Sequence, residues 1–314
     1  MTTYTNLKGQ QILSTASDPS NPTEGQIWYN STSNTLKTSI PVAAWSIGGN
    51  LATARADLAG AGTQTAGLAF GGASYLTATE EYDGTSWAAG GALVTGKHGH
   101  AGAGTQTAAL AFAGRTYSNT TQSYNGTSWS TGTNLTTGRR YLAGCGTQTA
   151  GLAFGGIAPP GFTYTTATEE YNGTSWAAGG ALIGGRYALA GAGTQTAGLA
   201  FGGSLAQAEE YDGTSWTRQN DLNQNRNYLA GCGTQTAGLA FGGTYIINRN
   251  ETESYNGSTW NTTVGLTTAR KELAGAGTQT AGLAFGGYTT ANLNATEEFN
   301  LTAATVNLFP SATT

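Results

Sequence analysis

Apolar residues along this chain come in short runs punctuated by glycine and threonine. Runs such as Leu68-Ala69-Phe70 are closed by Gly71-Gly72 and are too short and too Gly-bounded for helices. The string Gly-Thr-Gln-Thr-Ala-Gly-Leu-Ala-Phe-Gly-Gly begins at Gly62, Gly146, Gly193, Gly233 and Gly277, with a close variant at Gly104. Steps of 40–47 residues between copies mark a repeat architecture. Each copy leads to Tyr-(Asp/Asn)-Gly and then Trp, as in Tyr82…Trp87, Tyr124…Trp129, Tyr171…Trp176, Tyr211…Trp216 and Tyr255…Trp260. The Asp-Gly and Asn-Gly pairs are hairpin signals, because such turns need positive φ. The pattern predicts four strands per unit. Strand A resembles Asp57–Gly62 and strand B resembles Gly67–Gly71. Strand C ends at the Tyr, and strand D starts at the Trp.

Ten residues after each Trp stands a base: Arg55 (after Trp45), Lys97, Arg139, Arg186, Arg226 and Arg270. Small Ala and Gly residues in strand A suit crowding near an axis. The bulky Tyr and Trp of strands C and D suit the wider outer space. The Gly-Gly doublet, the Tyr–x4–Trp pair and the base ahead of strand A together resemble the kelch repeat of galactose-oxidase-like β-propellers. That resemblance covers about residues 42–300 and implies an all-β, six-bladed kelch-like β-propeller. The wording of the units also resembles repeat proteins encoded by phages of marine bacteria and cyanobacteria. It implies a virion protein of tail-fibre or decoration type.

The sixth unit reads Glu297-Glu298-Phe299-Asn300-Leu301 and has no Trp, whereas Trp45 has no strands A–C before it. An N-terminal strand around Val42–Ile47 is therefore expected to close the last blade, which removes two free sheet edges. The domains expected are 1–40, 41–300 and 301–314. Residues 1–40 form an attachment or oligomerisation segment with a short β-hairpin around the polar turn Ser31–Asn34. Residues 41–300 form the propeller, and 301–314 a C-terminal tail that can pair with the N-terminal segment.

The units can be compared with one another. Only the B–C loop changes length, and only the residues just after each base change identity strongly. In an up-and-down blade these two connections share one face. That face is the expected recognition surface, since binding side chains sit on loops held by a rigid scaffold. Its candidate residues are Asp57, His98, His100, Arg140, Tyr141, Tyr187, Asn227, Tyr228, Lys271 and Glu272, with the loop aromatics Tyr75, Tyr117, Phe162, Tyr164, Tyr245 and Tyr288. The six bases read as a structural ring.

Composition narrows the function. Gly numbers 49, charged residues make up 10% and the net charge is −4, so no basic surface points to nucleic acid. No apolar run approaches a membrane span. Metal and cofactor chemistry is not expected: His98 and His100 lack a third ligand, and Cys145 and Cys232 hold a small strand-A position filled by Ala elsewhere. Paired acids such as Glu80-Glu81 point to opposite faces of a strand and form no acid–base dyad. The expectation is a non-enzymatic, multicopy virion protein held to other virion proteins through residues 1–40. Its variable face would meet a host-surface glycan or protein. Alternatives are an architectural decoration protein and, further off, a polysaccharide-degrading enzyme with acids at the channel mouth.

Overall fold

The computed structural model describes residues 4–7, 10–20, 22–160 and 162–308. The chain divides into two units, residues 45–299 and residues 1–44 with 300–314.

Among the described residues of the larger unit, five four-stranded antiparallel sheets stand as blades of a β-propeller, and the sixth blade is the four-strand end of a seven-stranded sheet, built from Ala274–Gly277, Ala281–Phe285, Thr296–Asn307 and Thr35–Ile47. In the first, strand A is Ala59–Gly62, B is Gly67–Phe70, C is Thr79–Tyr82 and D is Trp87–Ala89. Strand A is two residues shorter than expected, because Asp57 sits at φ 54°, outside the range of a strand. The other blades repeat the register, with Gly102 opposite Ala111 and Gly191 opposite Ala200. The blade-six strand A, Ala274–Gly277, neighbours that of blade one, so the inner strands form a closed ring.

Interblade contacts repeat with the sequence. Each B-strand Phe meets the Trp of the next blade at centroid distances of 4.9–5.2 Å. Trp129 Nε1 donates to Thr79 of blade one, and Trp176 and Trp216 reach Thr121 and Thr168 in the same way. Trp45 Nε1 donates to Thr252 and its ring packs on Phe241. It therefore holds the strand-D position of blade six, and the N-terminal strand closes the ring as expected. The Gln of every Thr-Gln-Thr turn clamps the blade before it: Gln106 Nε2 donates to the carbonyls of Gly67 and Tyr82, and Gln64 reaches from blade one to Gly282 and Phe299 of blade six.

The recurring bases are buried inside their own blades. Arg55–Glu80, Arg139–Glu169, Arg186–Glu209, Arg226–Glu253 and Arg270–Glu297 pair at 2.8–3.1 Å. The second carboxylate oxygen accepts a loop N–H, from Ala52 in blade one and Thr136 in blade three. The second acid of the doublet serves the next blade: Glu81 accepts from Tyr124 Oη and Glu170 from Tyr211 Oη. Blade two departs from this plan. Lys97 replaces Arg and Gln122 replaces Glu, and the ammonium donates to Ala113 O, Thr120 O and Thr120 Oγ1.

In the smaller unit, β1 (Tyr4–Leu7) pairs antiparallel with β2 (Gln10–Thr15), which runs parallel to β3 (Ile27–Asn30). Strand β3 forms the expected hairpin with β4 (Thr35–Ile47), whose residues 35–44 belong to this unit. Asp18 is its polar hub: it accepts from Trp28 Nε1, Asn30 Nδ2 and Lys37 Nζ. These bonds, that to Lys37 foremost, hold its carboxyl down at about 2. Residues 301–307, the start of the expected tail, continue the strand Thr296–Asn307 and pair with the N-terminal segment, and Leu308 N–H donates to Leu36 O. The expected tail beyond residue 308 lies outside the described residues.

Candidate functional site

The residue two after each base opens the site. Asp57, Gly99, Tyr141, Ala188, Tyr228 and Glu272 all lie at φ between 51° and 57°. Five of the six are not Gly, so the left-handed conformation has to be held by its surroundings. Their own backbones hold it. Gly99 N–H donates to Asp57 O, Tyr141 to Gly99, Ala188 to Tyr141, Tyr228 to Ala188, Glu272 to Tyr228, and Asp57 to Glu272, all at 2.8–3.0 Å. The result is a closed hydrogen-bonded hexagon around the mouth of the central channel.

A cavity of about 110 Å³ lies at this mouth. Its rim carries Asp57, Tyr141, Tyr228 and Glu272, and its floor is a layer of Leu58, Leu142, Leu189, Leu229 and Leu273 with His100. The Gly and Ala of strand A continue the wall below. Burial, with Glu272 close by, pushes Asp57 up to about 7. Glu272 pairs with Lys271 at 3.1 Å, and Lys271 lies over the rings of Tyr228 and Tyr288. Tyr141 and Tyr187 each set an edge against Tyr228, and Tyr187 stacks on Tyr164 at 4.6 Å. Arg140 lies over Tyr117, Tyr141 and Phe162. The acid, the tyrosines and the bases predicted one per unit thus gather around one axis.

Other candidates stand elsewhere. Tyr245 is exposed on the blade-five loop beside the exposed Ile246 and Ile247. Asn227 pairs through its backbone with Thr244, which anchors that loop. The two histidines require a correction. They were expected on the display face, but His98 is 8% and His100 6% exposed. His100 fills the position held by leucine in the other five blades, which places it in the channel wall. His98 stacks on Tyr75 at 4.4 Å. Burial lowers the pKa of both, and neither ring nitrogen of His98 has a hydrogen-bond partner.

One site residue escaped the sequence reading. Arg115, in the blade-two B–C loop, donates through Nε and Nη2 to Tyr141 Oη at 3.1 and 2.8 Å. Its signal was positional: it is the first residue after Ala113-Gly114, the altered doublet of that blade. No group of three or more metal-ligating side chains forms among the described residues.

The opposite mouth is uniform. It is lined by Gly62 and its five counterparts, with Ala or, at Cys145 and Cys232, a buried free thiol. Burial pushes both thiols up to about 12, so they stay protonated and unreactive at neutral pH.

No family model matches the chain. No curated protein matches it significantly. Among solved structures, that of YjhT is similar in fold, with a TM-score of 0.67 at 12% sequence identity. The match covers 82% of this chain and 99% of that one. At that identity the likeness concerns the propeller fold.

Proposed function

We propose that this chain is a non-enzymatic display protein whose propeller presents one variable face to a glycan or protein on a host surface. One observation carries the reading: the two faces of one scaffold have opposite characters. The Thr-Gln-Thr face is committed to identical interblade clamps in all six units. The other face carries nearly all the differences between units, and there Phe162, Tyr164 and Tyr245 are 66%, 49% and 50% exposed. Flat amphipathic rings on a rigid frame suit sugar and protein surfaces. Carriage on a phage particle, with residues 1–40 as the attachment segment and many copies supplying avidity, rests on the sequence resemblance. The test is binding of labelled protein to host-cell envelopes. Replacing the loop residues Phe162, Tyr164 and Tyr245 together by Ser should reduce retention at least tenfold. Retention unchanged by that triple variant, or reduced equally by substitutions on the clamp face, would overturn the reading.

A second reading, an architectural decoration protein, draws support from Ile246 and Ile247. At 86% and 64% exposure they make an apolar tip suited to a dry contact with another subunit. A density map of intact particles separates the two: display requires the variable face toward solvent, and decoration buries it.

A further inference from the structure

Cations in this chain are almost all matched. Five of the recurring bases are arginines locked to glutamates inside blades, Arg218 pairs with Asp221, Arg249 with Glu251, and Lys271 with Glu272. Lys97 is buried and spends its donors on carbonyls and a hydroxyl. Among the described residues, Arg115 and Arg140 are the accessible bases with no carboxylate within ion-pair distance. Both lie against the same ring, with guanidinium carbons 5.7 and 5.5 Å from the Tyr141 centroid. The Arg140 carbon is also 5.4 Å from both Tyr117 and Phe162, and its Nε is buried without a partner.

Beside them lies a second cavity, of about 140 Å³, whose wall includes Arg115 and His98. His98 is buried with both ring nitrogens unpartnered, and Arg115 and Arg140 both oppose its protonation. A neutral imidazole there still has one N–H to donate. Arg140 Nε and the His98 imidazole thus lack partners, and Arg115, whose Nε and Nη2 serve Tyr141 Oη, keeps the remaining N–H groups of its fork, beside the half-buried Tyr117 and the exposed Phe162. Guanidinium forks match the geometry of oxyanions, and the rings suit the C–H faces of sugars.

We propose that Arg115 and Arg140, both set against Tyr141, bind the carboxylate or sulfate groups of an acidic polysaccharide whose sugar rings pack on Tyr117 and Phe162. This rests on the recognition reading above and gives it a ligand class. The protein's net charge of −4 offers no general attraction for polyanions, so binding has to come from this patch.

The experiment is affinity electrophoresis of the full chain in gels carrying polygalacturonate, dextran sulfate, neutral dextran or polyglutamate. Retardation is expected with polygalacturonate if sugar carboxylates are read, with dextran sulfate if sulfates are read, and weakly or not at all with the other two. The R115Q/R140Q variant should lose at least tenfold in affinity, while R218Q keeps it. Binding should weaken with added salt. Equal retardation by neutral dextran would remove the acidic requirement and leave glycan recognition standing. Equal retardation by polyglutamate would remove the sugar requirement. Failure with all four, or equal loss in R218Q, would overturn the proposal. Envelope binding measured in parallel shows whether the broader reading falls with it. Thermal melts of both variants guard against misfolding.

Discussion

Single substitutions within the repeat act as internal experiments on what each residue does. Trp260 Nε1 is buried without a partner, because the preceding blade carries Ala208 where the others carry Thr79, Thr121, Thr168, Thr252 or Thr296. Ala208→Thr should restore that bond and add about 1 kcal/mol, the usual net worth of a buried hydrogen bond. Denaturant midpoints check this, and a lower midpoint would show that blade four has no room for the hydroxyl. Phe299 follows the same logic in reverse: it lacks the hydroxyl that Tyr82 and Tyr124 use, and the blade before it has Ser254 in place of the accepting glutamate. Lys97 makes a titration prediction. Burial without a carboxylate lowers its pKa to about 8 from 10.5. Between those values the unfolded chain binds more protons, so stability rises with pH through this window, by on the order of 3 kcal/mol in total. Comparing wild type with Lys97→Met at pH 7.5 and 9.5 isolates the effect, since other groups cancel. The wild type should gain on the variant as pH rises, and a constant difference would show that Lys97 titrates normally.

At the scale of the element, strand A is set by the space its neighbour needs. A Cβ at Gly102 would come 2.6 Å from Phe70 Cζ and 2.9 Å from Gly60 O, both in the preceding blade. Gly102→Ala should cost about 1–3 kcal/mol by overpacking. A melting temperature unchanged by that substitution would mean the blades can move apart. This is where the sequence was most informative. Repeated Tyr–Trp spacing, Asp-Gly turns and the orphan Trp45 specify strands, register and closure, because each blade must bury the same surfaces against its neighbours. The site was less legible. Tyr141, Tyr228 and Arg115 lie far apart along the chain, and spacing says nothing about which long side chains meet across the axis. The histidines were misplaced for a related reason. The leucines Leu58, Leu142, Leu189, Leu229 and Leu273 mark position 100 as channel wall, but two histidines read alone look like surface chemistry. The pairing of residues past Asn300 with the N-terminal segment was legible from the closure argument, but its form as one continuous strand was not, because residues 35–44 lie outside the repeat.

For the whole molecule, closure is the property that the parts serve. Trp45 makes the same indole–hydroxyl bond and the same ring contact as Trp129, although it comes from the other end of the chain. Trp45→Ala and Trp129→Ala should therefore cost similar amounts, about 3–5 kcal/mol each. A much smaller loss for Trp45→Ala in equilibrium unfolding would mean that the ring holds without its final strand. The hexagon of backbone bonds at the channel mouth adds a different consequence. Every link runs in the same rotational sense, each N–H pointing to the carbonyl of the blade before. Six peptide dipoles laid head to tail around a circle circulate instead of adding, unlike those of a helix, which sum along its axis. These six links thus add little axial field at the opening, and side-chain charge there can change from copy to copy without disturbing the frame that holds it.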